Sequence, residues 1–273
     1  NQGKINPGKI WRTTDGGETW TLINDGIDPE AEIGDIYVDP VQNNILYAAT
    51  THGLYKSIDS GKSWELKNDG LDTGAIRDMD LYYDSTMEKP ILYVIDQVFW
   101  DYDDEGNIES SGGIFKSKDR GETWEDITSD DLRLNINKLD DDETTELLNK
   151  GLSWWFGVSW EEAREKFVLP DDIIPMFNRL VVDPRNPERI YVSHNTRHTP
   201  TTPLDAVWET ENGGKNWFIT TRIGEGWKQD ESFWKNNYFQ PEDVDITETN
   251  MEFGHRRYTR YDDIKYSRVF GVR

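Results

Sequence analysis

The chain has no cysteine, which removes disulfides, thiol nucleophiles and cysteine metal sites from consideration while leaving its compartment open. Positive charge is scarce as well. Thirty Lys and Arg against 53 Asp and Glu give a formal charge of -23, a surface that repels nucleic-acid backbones and anionic membranes. Such acidity suits solubility, divalent cations or high salt, and its plainest reading is a solvated surface. No apolar run approaches the ~20 residues needed to span a bilayer, so no membrane insertion is expected. Histidine is too thinly spread for a metal motif: His194 and His198 are four apart, but Thr199-Pro200 denies them the helix that a zinc protease uses. There is also no Gly-rich phosphate loop between a strand and a helix.

What the chain has in abundance is one turn, used four times. Thr13-Thr14-Asp15-Gly16-Gly17-Glu18-Thr19-Trp20 is repeated as Ser57-Ile58-Asp59-Ser60-Gly61-Lys62-Ser63-Trp64 and as Ser117-Lys118-Asp119-Arg120-Gly121-Glu122-Thr123-Trp124. A fourth copy, Thr210-Glu211-Asn212-Gly213-Gly214-Lys215-Asn216-Trp217, is worn, with Asn in place of both the Asp and the second Thr. The Asp is suited to accept hydrogen bonds from backbone N–H groups further along the turn. Gly supplies the positive φ of a tight hairpin, and the Trp opens the outgoing strand with a large surface to pack between sheets. These eight box positions (Asp15, Trp20, Asp59, Trp64, Asp119, Trp124, Asn212 and Trp217) are therefore assigned a structural role.

The flanks repeat too. Asp35-Ile36-Tyr37-Val38-Asp39-Pro40 with Ile45-Leu46-Tyr47-Ala48-Ala49 precedes the second box. Arg179-Leu180-Val181-Val182-Asp183-Pro184 with Arg189-Ile190-Tyr191-Val192 precedes the fourth, and Met79 to Asp84 with Ile91 to Ile95 gives a looser copy before the third. Short β-branched or aromatic runs bounded by Asp-Pro or Gly read as strands. Each unit is then four strands, which is a propeller blade, so the fold class is all-β. In these boxes and strands the sequence resembles the Asp-box (BNR) repeat proteins over residues 10–66, 76–128 and 178–220. That superfamily includes sialidases, sortilin-type receptors, xyloglucan-cleaving glycosidases and many secreted propellers.

Blade arithmetic sharpens the picture. Trp20 and Trp64 lie 44 residues apart, close to the ~40–45 of a minimal blade. The next intervals are 60 and 93, so the later blades carry insertions. The whole chain, 1–273, reads as one propeller segment of three full blades with partial ones at each end. It begins with Asn and has no charged-then-apolar leader, as a processed chain or a piece of a longer one would. Because too few blades are present to close a ring, another chain or further polypeptide is expected to complete it. The insertions at 96–112, 125–177, 193–206 and 221–242 all fall on the face opposite the boxes, making that face the candidate binding surface.

Two constellations stand out there. The 125–177 insertion is partly helical: Ser159-Trp160-Glu161-Glu162 is a capping-box pattern, and Trp160, Ala163, Arg164 and Phe167 follow helical spacing. Trp154, Trp155 and Trp160, with Trp227 and Trp234 of the aromatic-rich 221–242 loop, are candidates to stack on sugars or anchor a protein. The alternative is that the aromatics form the insertion's own small core. The second constellation is Asp101, Asp103, Glu105, Asn107 and Glu109, whose alternating oxygens around Gly106 resemble a calcium loop. Position twelve of that loop is Gly112 instead of a bidentate Glu, and an acidic loop tip is the competing reading.

The resemblance implies two possible activities, and this sequence lacks the residues of both. Xyloglucan-cleaving relatives carry a catalytic Asp after a Leu/Ile-Tyr strand, where this chain has Thr51. Sialidases need an arginine triad gathered from separate blades, whereas Arg256, Arg257 and Arg260 are neighbours in sequence. No catalytic residue is assigned. The expected role is an extracellular or cell-surface binding module for a protein or carbohydrate. A glycosidase-like propeller with carboxylates outside this chain and a structural subunit of a surface assembly are the alternatives.

Overall fold

A computed structural model describes residues 8–135, 156–168, 172–194 and 206–222. Strands β1 (Trp11–Arg12) and β2 (Thr21–Leu22) form a hairpin. Three four-stranded antiparallel sheets follow. The first is β3 (Ile33–Val38), β4 (Leu46–Thr50), β5 (Gly53–Ser57) and β6 (Glu65–Leu66), ordered β3-β4-β5-β6. The second joins β7 (Ile76–Tyr82), β8 (Ile91–Tyr102), β9 (Ile108–Ser117) and β10 (Glu125–Asp126) in the same way. After a small pairing of β11 (Leu134–Asn135) with β12 (Asp172–Ile173), and helix α1 (Trp160–Lys166) between them, the third sheet is β13 (Phe177–Asp183), β14 (Asn186–His194), β15 (Ala206–Thr210) and β16 (Phe218–Arg222). These are three propeller blades, preceded by the outer two strands of another.

Apolar side chains from alternate strand positions fill the seams between blades, as the two-residue period requires. In β4, Leu46 and Ala48 join Tyr55, Ile10 and Ile23 in the seam toward the β1–β2 hairpin. Tyr47 and Ala49 point the other way, to Met79, Leu92, Phe115 and Trp124. The largest seam lies between the second and third blades and extends to Trp100, Ile108, Ala163 and Phe167 around α1.

Each box joins the third strand of a blade to the fourth, and its hydrogen bonds follow the expected pattern. In the second box, the Asp59 carboxylate accepts from the Ser63 N–H at 2.9 Å and from the Ser63 hydroxyl at 2.7 Å, while Ser57 Oγ accepts from the Gly61 N–H at 2.8 Å. Two successive residues adopt positive φ, and in this box the first is Ser60, in the third Arg120. Arg120 occupies that disfavoured conformation while its guanidinium reaches back to the Asp39 carboxylate (2.9 Å) and the Glu88 carbonyl (2.8 Å).

The Trp does more than open a strand. Its indole N–H crosses the seam to the first carbonyl beyond the preceding blade's last strand. Trp64 donates to Ile23 at 2.7 Å, Trp124 to Lys67 at 3.0 Å and Trp217 to Ile127 at 3.1 Å. Gly26 and Gly70 lie directly beneath Trp64 and Trp124, where a Cβ would overlap the carbonyl oxygens of those two residues. Trp20, on the β1–β2 hairpin, is 56% exposed and donates to the Gly17 carbonyl of its own turn.

The fourth box is not simply worn. Asn212 Oδ1 accepts from the Thr210 hydroxyl (2.9 Å) and the Asn216 N–H (3.0 Å), the same frame as an Asp provides. What differs is its neighbour. The Trp64 and Trp124 N–H groups meet backbone carbonyls of Asp25 and Asp69, but the Trp217 N–H meets the Asp131 carboxylate at 3.0 Å. Asn212 Nδ2 donates to Asn216 Oδ1, and Asn216 Nδ2 in turn donates toward Asp131. Two neutral amides thus stand beside the Asp131 carboxylate, avoiding the repulsion of a second carboxylate.

Candidate functional site

The 2→3 and 4→1 connections lie opposite the boxes, and there the inner strands share one irregularity. Each begins with a β-bulge: between Ile33 and Asp35 in β3, Ile76 and Asp78 in β7, and Phe177 and Arg179 in β13. An extra residue at a strand start bends the chain and re-aims the side chains around it. The residue after each bulge is charged, and the three meet. Arg179 Nη1 lies 2.7 Å from Asp78 Oδ1 and 3.8 Å from Asp35 Oδ2. The bulged residues of the second and third blades meet as well, with Arg77 donating to Asn178 Oδ1 at 2.8 Å.

Burial differs sharply across this cluster. Asp78 is 2% exposed, and its second oxygen accepts from the Leu180 N–H at 2.8 Å. Burial pushes its carboxyl above the ordinary carboxylate value, and the Leu180 N–H and Arg179 offset only part of that rise. Arg179 is about half exposed and Arg77 is exposed. Two guanidinium groups and one partly exposed carboxylate, Asp35, thus face outward from a buried anchor. Beside them Asp96, at the end of the regular part of β8, is fully buried and accepts from the Asp72 N–H and from both the N–H and the hydroxyl of Thr73. Its pKa is also raised by burial against those hydrogen bonds, and it ties the 68–75 connection to the base of the β8–β9 hairpin.

Sequence reasoning missed this cluster. It treated Asp35, Met79 and Arg179 as the openings of plain strands. The available signal was the shared pattern of an apolar residue, one spacer and then a charge: Ile33-Gly34-Asp35, Ile76-Arg77-Asp78, Phe177-Asn178-Arg179. That spacing breaks strict alternation at the same place in three repeats.

The predicted insertion elements are present where described. The 96–112 insertion is an extension of the β8–β9 hairpin, with Trp100 paired to Ser110 and Tyr102 to Ile108. Helix α1 starts at an N-cap, Ser159, whose hydroxyl accepts from the Glu162 N–H. Its apolar side packs on the hairpin. Ala163 and Phe167 are buried, and the Tyr102, Phe156 and Phe167 rings lie about 5 Å apart. Lys166 Nζ sits 4.3 Å above the Tyr102 ring. These three rings form a small apolar cluster between α1 and the hairpin extension. Trp154, Trp155, Trp227 and Trp234 lie outside the described residues, and of Trp160 only the backbone at the start of α1 is described.

The acidic stretch folds as a hairpin tip. Asp101 stands opposite Glu109, while the Asp103 carboxylate accepts from the Asn107 N–H at 2.8 Å and its side-chain amide at 2.7 Å. Gly106 takes φ +85° and its carbonyl accepts from Val168 beyond α1. Among the described residues, no three His, Cys, Asp or Glu side chains are grouped to hold a metal ion. Thr51 lies in the β4–β5 turn, where its hydroxyl accepts from the Glu32 N–H.

The Sortilin-Vps10 family pattern, described as sortilin, neurotensin receptor 3, matches residues 8–150, more than half of the 273. The chain belongs to the Sortilin-Vps10 family. Within this member, the match covers the first two full blades and three of the five cluster residues: Asp35, Arg77 and Asp78. No curated protein matches the sequence. Among solved structures, the GH74 enzyme of Niastella koreensis is similar at 20% identity and a TM-score of 0.47, over 80% of this chain and 27% of that one. The GH74 xyloglucanase of Xanthomonas campestris gives 16% and 0.44 over 80% and 27%. YCF48 from Cyanidioschyzon merolae gives 16% and 0.36 over 77% and 45%. The chain spans less than half the length of each of these structures. No helix of the described residues is long and apolar enough to cross a membrane.

The box carboxylates give this family member a defined acid sensitivity. Hydrogen bonds from Thr19 hold Asp15 down at about 2, and those from Ser63 do the same for Asp59. At Asp119 burial pushes up, but the Thr123 hydroxyl and N–H outweigh it and the value is again about 2. A folded pKa below the unfolded one contributes stability that is present above the ordinary value of 3.8 and is lost as pH falls through about 2. Melting temperature followed by circular dichroism is therefore expected to drop steeply below pH 4, and Asp59→Asn is expected to shallow that limb. An acid limb unchanged by Asp59→Asn would remove this box from the account.

Proposed function

We propose that this chain is a binding module, placed outside the cell or on its surface, whose insertion-bearing face takes a partner protein or glycan. The observation that carries this reading is the convergence of Asp35, Arg77, Asp78, Asn178 and Arg179 at the bulged starts of three inner strands. Two exposed guanidinium groups, Arg179 held by the buried Asp78 carboxylate and Arg77 by the Asn178 amide oxygen, form a polar surface on a chain that is otherwise strongly acidic. The hairpin extension and α1 stand on the same face, so a ligand there would meet both an axial polar patch and a raised wall. The family's description as a receptor supports binding over turnover, and Thr51 at the position of a xyloglucanase carboxylate supports the same choice. Further blades, from another chain or from polypeptide beyond this one, complete the propeller around that patch.

Screening the folded chain against a glycan array and a displayed peptide library would identify a ligand. Arg77→Glu reverses an exposed charge in the patch, and Lys118→Glu does so on the box face, where Lys118 is 67% exposed. The expected result is binding weakened about tenfold or more by Arg77→Glu, the loss of one charged contact, and unchanged by Lys118→Glu. Equal sensitivity at the two sites, or no ligand in either screen, would count against the proposal.

A further inference from the structure

Asn212-Gly213 is the one Asn-Gly step in the sequence, and it sits at the carboxylate position of the fourth box. Such a step is chemically labile. The Gly nitrogen attacks the Asn Cγ, a nitrogen–carbon bond forms, the Cγ–Nδ2 bond breaks and ammonia leaves. Water then opens the cyclic imide to Asp or to its isoaspartyl isomer. The net reaction consumes one water, releases ammonia and needs no other reactant.

The native turn opposes every part of this. The attacking nitrogen is engaged, since the Gly213 N–H donates to the Glu188 carbonyl at 2.9 Å. The electrophile is held at both ends: Oδ1 by the Thr210 hydroxyl and the Asn216 N–H, Nδ2 by Asn216 Oδ1 at 3.2 Å. Gly213 and the following Gly214 are buried. Cyclisation requires the side chain to leave those partners and the Glu188 contact to break together, which is an opening of the turn.

We infer that Asn212 is a modification site, closed by the folded turn and exposed when that turn opens. The product also resists re-closure. A carboxylate at 212 cannot donate to Asn216 Oδ1. If the Asn216 amide turns to donate to it, Asn216 loses its contact to Asp131 and presents an oxygen there instead. Either orientation leaves one of the two carboxylates without the amide donor, and each opening that ends in deamidation leaves a weakened contact to Asp131.

Peptide mapping by mass spectrometry, on the folded chain and on the chain in denaturant at mildly alkaline pH, tests the closed state. Conversion at 212 is expected to be at least about tenfold slower in the folded chain, because it proceeds only through the open fraction. Equal rates, or no conversion in denaturant, would overturn the inference. Thr210→Val removes a partner of Asn212 and is expected to speed conversion. If that variant does not fold, wild-type rates in sub-denaturing urea serve instead, and a rate indifferent to urea would also overturn it. For re-closure, Asn212→Asp is expected to melt below the wild type and to be restored by Asp131→Asn. An Asn212→Asp chain as stable as the wild type would show that the fourth box accepts a carboxylate as the other three do.

Discussion

Trp124→Ala is expected to destabilise the chain by roughly 3–5 kcal/mol, the loss seen when a buried Trp or Phe is cut back to Ala. Trp124 is 7% exposed, packs with Phe115, Leu92 and Met79, and its indole N–H is bonded to Lys67 across the seam. Truncation removes that packing and leaves the Lys67 carbonyl without its partner. Trp20→Ala, at the same position of the first box, is expected to cost no more than about 0.5 kcal/mol, as at an ordinary surface site. Trp20 is 56% exposed, and among the described residues its indole N–H donates within its own turn. Urea unfolding followed by intrinsic fluorescence would compare the two. Similar losses would mean that the box Trp acts on its own hairpin and that the seam contact contributes little.

The second large effect is expected at Asp78. Asp78→Ala orphans the buried Leu180 N–H and releases the half-exposed Arg179, for a loss of about 2–3 kcal/mol. The ion pair itself adds little to that figure, since solvent screens the exposed guanidinium. Asp78→Asn keeps an acceptor for Leu180 and is expected to cost less than half as much. It also carries a pH signature opposite to that of the boxes. The native carboxyl of Asp78 is raised above the unfolded 3.8 by burial, so its ionisation opposes folding as pH rises through that window. Asp78→Asn should remove this unfavourable limb above pH 3.8, while the acid limb of the boxes remains. Chemical denaturation at several pH values would separate the two. If Asp78→Ala proved as stable as the wild type, the inner strands would be held together by apolar packing alone.

Much of this fold is legible from local text. The Asp59 turn and the Asp39-Pro40 turn are closed by hydrogen bonds within a few residues, as in Ser63 to Asp59 and Val41 to Asp39. Such contacts are encoded by neighbours and so can be read in order. The helix at 160–166 was equally readable, because Ser159 and the spacing of Ala163 and Phe167 lie within two turns. The polar patch was not, since Arg179 and Asp78 are 101 residues apart and the broken alternation around each does not say which charges it brings together. Their meeting depends on two bulges and on the packing of neighbouring inner strands. The fourth box shows the same limit in miniature. Its two Asn residues look like decay until Asp131, 86 residues before Trp217, is found beside them.

By itself, then, the sequence determined the repeat, the blade count in the described region and the role of the Asp in each turn, all consequences of short-range hydrogen bonding and the two-residue strand period. Tertiary structure decided which charges share an environment. It made Asp78 a buried anchor, left Arg77 and Arg179 facing outward, and buried three of the four equivalent Trp residues while leaving Trp20 exposed. Burial and the approach of distant strands set those outcomes, because a side chain's solvent and partners belong to the packed seam and not to its own stretch of chain.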